Sequence, residues 1–168
     1  MLDCRDFLME QKKSIHITSN SADETFNFAR KIGEKLEEGD ILALSGELGS
    51  GKTCFTGGIA RGLGVDESYQ ITSPTFTLIN EYPARHRLFH FDVYRLNEYS
   101  ELDDLGYEEF IAGKGVVVIE WAEKIAEIIP DTAIFINFEY IDENKRKITI
   151  KGSHERITKI FADLENGG

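Results

Sequence analysis

The chain is 168 residues long, with 19 Lys and Arg against 30 Asp and Glu and a formal net charge of −11. That length suits one domain with a sizeable core, and the acidic balance excludes a tight, direct grip on a nucleic-acid backbone, which clustered Lys and Arg would have to supply. With no apolar run of transmembrane length, no signal pattern in Met1-Leu2-Asp3-Cys4-Arg5-Asp6 and two cysteines only, Cys4 and Cys54, the expectation is a cytoplasmic protein without membrane contact, disulfide framework or cysteine metal site.

Residues 1 to about 13 read as a polar extension and residues 14–168 as a single domain. Ile15-His16-Ile17-Thr18 predicts a short strand. Ser21-Ala22-Asp23-Glu24 is a capping-box pattern, in which the Ser21 hydroxyl accepts from the Glu24 backbone and the Glu24 carboxylate returns to Ser21. The helix it opens should bury Phe28, Ile32 and Leu36 and end near Glu38-Gly39. Asp40 to Ser45 predicts a short buried strand and Lys52 to Leu63 a helix, with a glycine-rich loop between them. After a loop over Asp66 to Pro74, Thr75 to Tyr82 alternates as a strand, Pro83 to Arg87 turns the chain, and Arg87 to Asp92 returns as its hairpin partner. Glu98 to Ala112 reads as two short helical pieces broken at Gly106. Gly115 to Glu120 is a β-branched run of the kind found in a central strand covered on both faces. Ile134 to Tyr140 and Lys147 to Ile150 predict a second hairpin around Asp142 to Lys145, and Ile157, Ile160, Phe161 and Leu164 mark a closing amphipathic helix. The sum is an α/β fold of three layers with a mixed parallel and antiparallel sheet, the architecture of P-loop nucleotide-binding proteins.

The loop that carries this reading is Gly46-Glu47-Leu48-Gly49-Ser50-Gly51-Lys52-Thr53, a complete Walker A pattern set between strand and helix. Its glycines let backbone N–H groups turn toward phosphate oxygens, Lys52 reaches the β- and γ-phosphates, and the Thr53 hydroxyl is a ligand for Mg²⁺. Cys54 follows at the helix start. A helix N-terminus lowers a thiol's pKa, but a small, partly buried side chain is the reading preferred for it.

Hydrolysis also needs a carboxylate for the metal and a polar group to orient water. Glu120 ends Val116-Val117-Val118-Ile119, where a metal carboxylate belongs, and Asp92 ends Leu88-Phe89-His90-Phe91, suited to orienting the attacking water. Ser73-Pro74-Thr75 fits equally a loop whose Thr75 hydroxyl senses the γ-phosphate and a plain strand start. Trp121, the single tryptophan, adjoins Glu120, so its fluorescence should respond to nucleotide. His16 and His90 lack ligand spacing and read as satisfied strand histidines. The basic clusters Arg85-His86-Arg87 and Lys145-Arg146-Lys147 read as solvated turns. No Asn/Thr-Lys-x-Asp string is present, since Asn144-Lys145-Arg146-Lys147 lacks the Asp, so ATP is favoured over GTP.

Taken in order, the P-loop, Ser73-Pro74-Thr75-Phe76-Thr77-Leu78, His90-Phe91-Asp92-Val93-Tyr94-Arg95-Leu96 and Ile119-Glu120-Trp121-Ala122-Glu123 closely resemble the bacterial TsaE family, over roughly Ile15 to Ile150. The resemblance implies a small ATPase needed, with TsaB and TsaD, to make threonylcarbamoyladenosine at position 37 of tRNAs. It implies docking on a TsaD–TsaB assembly, contact with tRNA only through that assembly, and hydrolysis that resets the synthase between turnovers. Carried over by residue, it places Thr53 and Glu120 on Mg²⁺, Lys52 on the phosphates, Asp92 in hydrolysis and Trp121 near the nucleotide. It points to Ser21-Ala22 and Asn144-Lys145 around the base. Glu47 and Ser50 stand where the family commonly has Asp and Ala.

Two other readings stay open. Arg85, Arg87 and Arg95 could clamp the acceptor of a small-molecule kinase. Alternatively the chain is an ATP-gated binding module in which occupancy, without turnover, changes partner affinity.

Overall fold

In the computed structural model, which describes residues 12–164, every strand belongs to one sheet. In chain order the elements are β1 (Lys12–Ser19), α1 (Ala22–Gly33), β2 (Ile41–Gly46), α2 (Lys52–Leu63), β3 (Ile79–Tyr82), β4 (Leu88–Asp92), α3 (Ser100–Asp104), α4 (Tyr107–Ala112), β5 (Val116–Glu120), a 3₁₀ segment (Ala122–Ile128), β6 (Ile134–Tyr140), β7 (Arg146–Ser153) and α5 (His154–Phe161). The seven strands lie in the order β1-β7-β6-β2-β5-β4-β3. The central strands pair in parallel, β6 with β2, β2 with β5 and β5 with β4, while the outer pairs β1–β7, β7–β6 and β4–β3 are antiparallel. This is the mixed three-layer α/β sheet expected from the sequence.

Alternation along the central strands builds two cores. Leu42, Leu44, Leu88, Val116 and Val118 face a cluster with α1, α2 and α5, and Ile41, Ala43, Phe89, Phe91, Val117 and Ile119 face a second cluster with α3, α4 and the 3₁₀ segment. Strands covered on both sides can be apolar throughout, which is why the Val116–Ile119 run shows no period of two. The two pieces around Gly106, which takes φ 75°, and the Ile157, Ile160 and Phe161 face of α5 are as expected.

Several details differ from expectation. Lys12 and Lys13 already stand in β1, opposite Ser153 and Gly152 of β7, which itself runs longer than Lys147 to Ile150. Residues 1–11, with Cys4 among them, lie outside the described residues. The Ser21 cap forms, accepting from Glu24 N–H at 3.1 Å, but the Glu24 carboxylate returns to the Asn20 N–H at 2.7 Å and not to Ser21. α1 stops at Gly33, ahead of Glu38-Gly39: the chain tightens into i+3 bonds, Lys35 N–H to Ile32 C=O at 2.9 Å and Leu36 N–H to Gly33 C=O at 3.3 Å, and the Arg85 guanidinium caps the carbonyls of Gly33 and Leu36, each at 3.1 Å. Arg85 is thus a helix cap and no mere solvated turn residue. Finally, Thr75–Leu78 is a turn, not the start of a strand: Leu78 N–H closes on Pro74 C=O at 2.8 Å and Leu78 sits at φ 66°. Only Ile79–Tyr82 pairs with β4, leaving Phe76 80 % exposed.

Candidate functional site

β2 ends at Gly46 in the middle of the sheet, and Gly51, at φ 106°, swings the chain into α2. The first helical bond runs from Phe55 N–H to Gly51 C=O at 2.9 Å. The N–H groups of Lys52, Thr53 and Cys54 therefore have no partner within the helix and supply the positive end of its dipole to the loop. Ends of adjacent parallel strands form a crevice at this edge of an α/β sheet, and here β4 and β5 contribute Asp92 and Glu120, direct neighbours in register. Asp92 has the strand parity of Leu88, and Glu120 that of Val118, so both carboxylates point to the α2 side. Each is only 2 % exposed.

The geometry joins these parts in one cleft of about 350 Å³, lined among others by Leu48, Gly49, Ser50, Gly51, Lys52, Thr53, Cys54, Ser73, Thr75, Asp92, Tyr94, Glu120 and Trp121. Thr53 Oγ1 donates to Glu120 Oε2 at 3.2 Å. Asp92 accepts from the Ser73 hydroxyl, from Thr75 Oγ1 at 3.4 Å and, through Oδ1, from Tyr94 N–H at 2.9 Å. The Thr75 turn thus delivers two hydroxyls to one carboxylate, which a straight strand from Thr75 would not. Lys52 Nζ donates to Gly46 C=O at 2.6 Å, Glu47 C=O at 2.9 Å and Ser50 Oγ at 3.4 Å. The Trp121 ring covers the same ammonium at 3.9 Å and is itself backed by Tyr94, with ring centroids 4.7 Å apart. Burial pushes the Lys52 ammonium below its ordinary range, against the opposing pull of Glu123, Glu120 and Asp92.

Of the residues expected in the site, Gly46 and Glu47 lie behind the cleft and serve it through their carbonyls, the Glu47 side chain being exposed. Cys54 is half-buried, its thiol pushed up by burial and by Asp23 and donating to Ala22 C=O at 3.4 Å, and it lines the cleft at the start of α2. That contact also brings the start of α1 against the P-loop. From the other side Arg146 reaches Gly49 C=O at 3.3 Å, so the β6–β7 turn with Asn144-Lys145 flanks the same loop. His16 is satisfied on the outer strands by Thr149 Oγ1 at 3.1 Å.

His90 departs from its reading as a satisfied strand histidine without a role. It is fully buried, Nε2 lies 2.8 Å from Glu120 Oε1, and Nδ1 is buried without a partner. Strand parity held the signal: His90 stands two residues before Asp92 and shares its face. Ser73 and Tyr94, to which the motifs alone assign no role, both touch Asp92.

The donor set suits a small hard cation. Thr53 Oγ1 and Glu120 Oε2 converge as oxygen donors, and among the described residues no group of three or more His, Cys, Asp or Glu could hold a metal alone. Mg²⁺ is commonly held in this way, by one or two protein oxygens plus water and phosphate.

No helix among the described residues is long and apolar enough to cross a membrane. Comparison with known proteins agrees with the motifs. The family model of the threonylcarbamoyl adenosine biosynthesis protein TsaE matches residues 19–148. The tRNA threonylcarbamoyladenosine biosynthesis protein TsaE of Treponema pallidum is 43 % identical over 132 residues, 79 % of this chain and 96 % of that one. Its counterpart in Bacillus subtilis is 38 % identical over 143 residues, 84 % of this chain and 88 % of that one. The crystal structure of Bacillus subtilis YdiB superposes with a TM-score of 0.77 at 32 % identity, covering 92 % of this chain and 96 % of YdiB. The likeness thus spans sequence and fold alike, and the chain belongs to the TsaE family of tRNA threonylcarbamoyladenosine biosynthesis proteins.

Proposed function

We propose that this chain binds ATP with Mg²⁺ in the P-loop cleft and hydrolyses it, and that turnover resets a TsaD–TsaB assembly on which it docks during threonylcarbamoyladenosine formation at position 37 of tRNA. The observation that carries the proposal is the convergence of Lys52, the Thr53–Glu120 pair and the hydroxyl-held Asp92 on one cleft. Lys52 exchanges its carbonyl partners Gly46 and Glu47 for phosphate oxygens. Thr53 and Glu120 would hold Mg²⁺, which would offset phosphate charge. Asp92, fixed by Ser73 and Thr75, orients the attacking water, and the Thr75 hydroxyl sits where it can sense the terminal phosphate. Ser21-Ala22 and Asn144-Lys145 flank the adenine.

Lys52 starts out held by two carbonyls and covered by Trp121, so hydrolysis by the chain alone is slow and rises in the complex. The net charge of −11 leaves tRNA to the partner proteins, and the reading sets this work in the cytoplasm. The kinase reading loses support, since Arg85 caps α1, Arg87 pairs with Glu81 at 2.8 Å and Arg95 stacks on Phe76 at 4.1 Å.

The test is multiple-turnover threonylcarbamoyladenosine formation on tRNA by TsaB and TsaD supplied with threonylcarbamoyl-adenylate, with this chain as wild type, Lys52→Ala or Glu120→Ala. Only the wild type should sustain turnover and consume ATP. Variants that work as well as wild type, or full support by a non-hydrolysable ATP analogue, would overturn the reset mechanism.

A further inference from the structure

We infer that His90 is a positioning residue for Glu120: its ring holds one carboxylate oxygen so that the other is presented to Thr53 and the metal. The inference rests on the proposed reading of Thr53 and Glu120 as the Mg²⁺ oxygens. In the register of β4 and β5, His90 lies beside Val118, and its ring reaches along β5 to Glu120 Oε1 at 2.8 Å. Glu120 Oε2, 3.2 Å from Thr53 Oγ1, is then the oxygen that faces the cleft. The two oxygens have different tasks, and the imidazole fixes which does which.

Two further observations support a directional bond. His90 is 0 % exposed, on a strand paired on both sides. Its Nδ1 is buried with no partner, and a proton there would be an N–H without an acceptor, the rarest kind of unsatisfied buried group. The ring proton therefore sits on Nε2 and is donated to Glu120. Partners of this kind, behind a ligating carboxylate or imidazole, typically change metal affinity by about 10–100-fold when removed. A histidine kept only for packing predicts no such effect.

The test uses Trp121 fluorescence to follow binding of a non-hydrolysable ATP analogue across a series of Mg²⁺ concentrations, in the wild type, His90→Leu and His90→Gln. Leu removes the donor, whereas Gln carries an N–H at nearly the reach of Nε2. His90→Leu should raise the Mg²⁺ needed for half-saturation by about 10-fold or more and leave analogue affinity in EDTA unchanged, while His90→Gln should recover most of the loss. In a Glu120→Gln background His90→Leu should have no further effect. Wild-type Mg²⁺ dependence in His90→Leu, a loss that persists undiminished in the Glu120→Gln background, or no recovery in His90→Gln would overturn the inference. If the wild type binds the analogue without any response to Mg²⁺, it is the metal reading beneath it that fails. A measurement needing no variant is the long-range ¹H–¹⁵N spectrum of the His90 ring: a proton on Nε2 is expected, and an Nε2 that carries no proton overturns the inference.

Discussion

On the face covered by α1, α2 and α5, the sheet and its P-loop bury Lys52, His90, Asp92 and Glu120; on the opposite face the same strands bury Phe89, Phe91, Val117 and Ile119. Along β4 the two chemistries alternate residue by residue, so His90 and Asp92 project to one side because Phe89 and Phe91 are held on the other. The aromatic side is tightly engaged: Phe91 meets Phe110 edge-on with centroids 5.5 Å apart, and Phe89 meets Phe110 at 4.9 Å. Charges buried on one side are thus positioned by apolar packing on the other, which teaches that the second face is a backing whose stability the site depends on without sharing its chemistry.

The sharpest break between the faces should come from Leu102→Ala in α3. Leu102 is 0 % exposed in the backing core, and its truncation should cost about 2–5 kcal/mol in urea unfolding. ATP turnover per folded molecule should stay at the wild-type level. A loss of turnover beyond the loss of folded protein would show that the backing reaches further into the chemistry than its packing role.

Asp92→Asn makes the reverse cut. The amide keeps the shape and an oxygen for the Tyr94 N–H, while its NH2 turns to the Ser73 and Thr75 hydroxyls, which can rotate to accept; only the charge is lost, so on the proposed reading hydrolysis should fall by about 10²-fold or more, with nucleotide binding and melting temperature little changed. Turnover assays and Trp121 fluorescence titrations check the two halves separately. Unchanged turnover would move the water-orienting role away from β4.

Much of this division was legible in the chain and some was not. The P-loop, both strand-end acids and the doubly covered Val116–Ile119 run follow from local pattern, because glycine spacing and β-branched runs report backbone geometry directly. The Thr75–Leu78 turn was hidden because its alternation imitates a strand. What bends it is tertiary, the hydroxyls of Ser73 and Thr75 on Asp92 and the Asp92 N–H on Leu78 C=O at 3.1 Å. The His90–Glu120 bond depends on the pairing of β4 with β5, 30 residues apart in sequence, a register no local pattern encodes. Arg85 looked like part of a solvated turn for the same reason: the carbonyls it caps belong to α1.

A smaller effect should separate the site-bearing face from its own helices. α1 and α2 approach backbone to backbone at glycines: a Cβ on Gly62 would press on Arg30 C=O, and one on Gly33 would lie 2.5 Å from Ile59 C=O. Gly62→Ala should therefore cost about 1–3 kcal/mol, as overpacking does, measured as a lower urea midpoint at unchanged slope. The same pair of helices meets at its other end through Cys54 and Ala22 C=O, so a shift of α1 as a body should weaken nucleotide affinity as well, which Leu102→Ala should not produce.

The smallest expected effect belongs to the one ionisable group, among the described residues, that the backing core does bury. Tyr107, 4 % exposed, has its hydroxyl pushed up from 10.0 to about 12 by burial. A hydroxyl that stays protonated longer in the folded chain than in the unfolded one contributes stability that is complete below pH 10 and lost as pH rises from 10 toward about 12. Tyr107→Phe should flatten the decline of urea stability in that window and leave stability at neutral pH nearly unchanged, since the Tyr107 hydroxyl's contact with Ile128 C=O is a long 3.5 Å. The Lys52 ammonium, shifted downward by burial on the other face, titrates with the opposite dependence: stability is lost as pH falls into the range between its folded and its ordinary value. The comparison is therefore made between Tyr107→Phe and wild type under identical buffers, where only the tyrosine differs. An identical decline in both proteins would mean that the hydroxyl gains water before the core opens, and the backing face would then be less closed than its packing indicates.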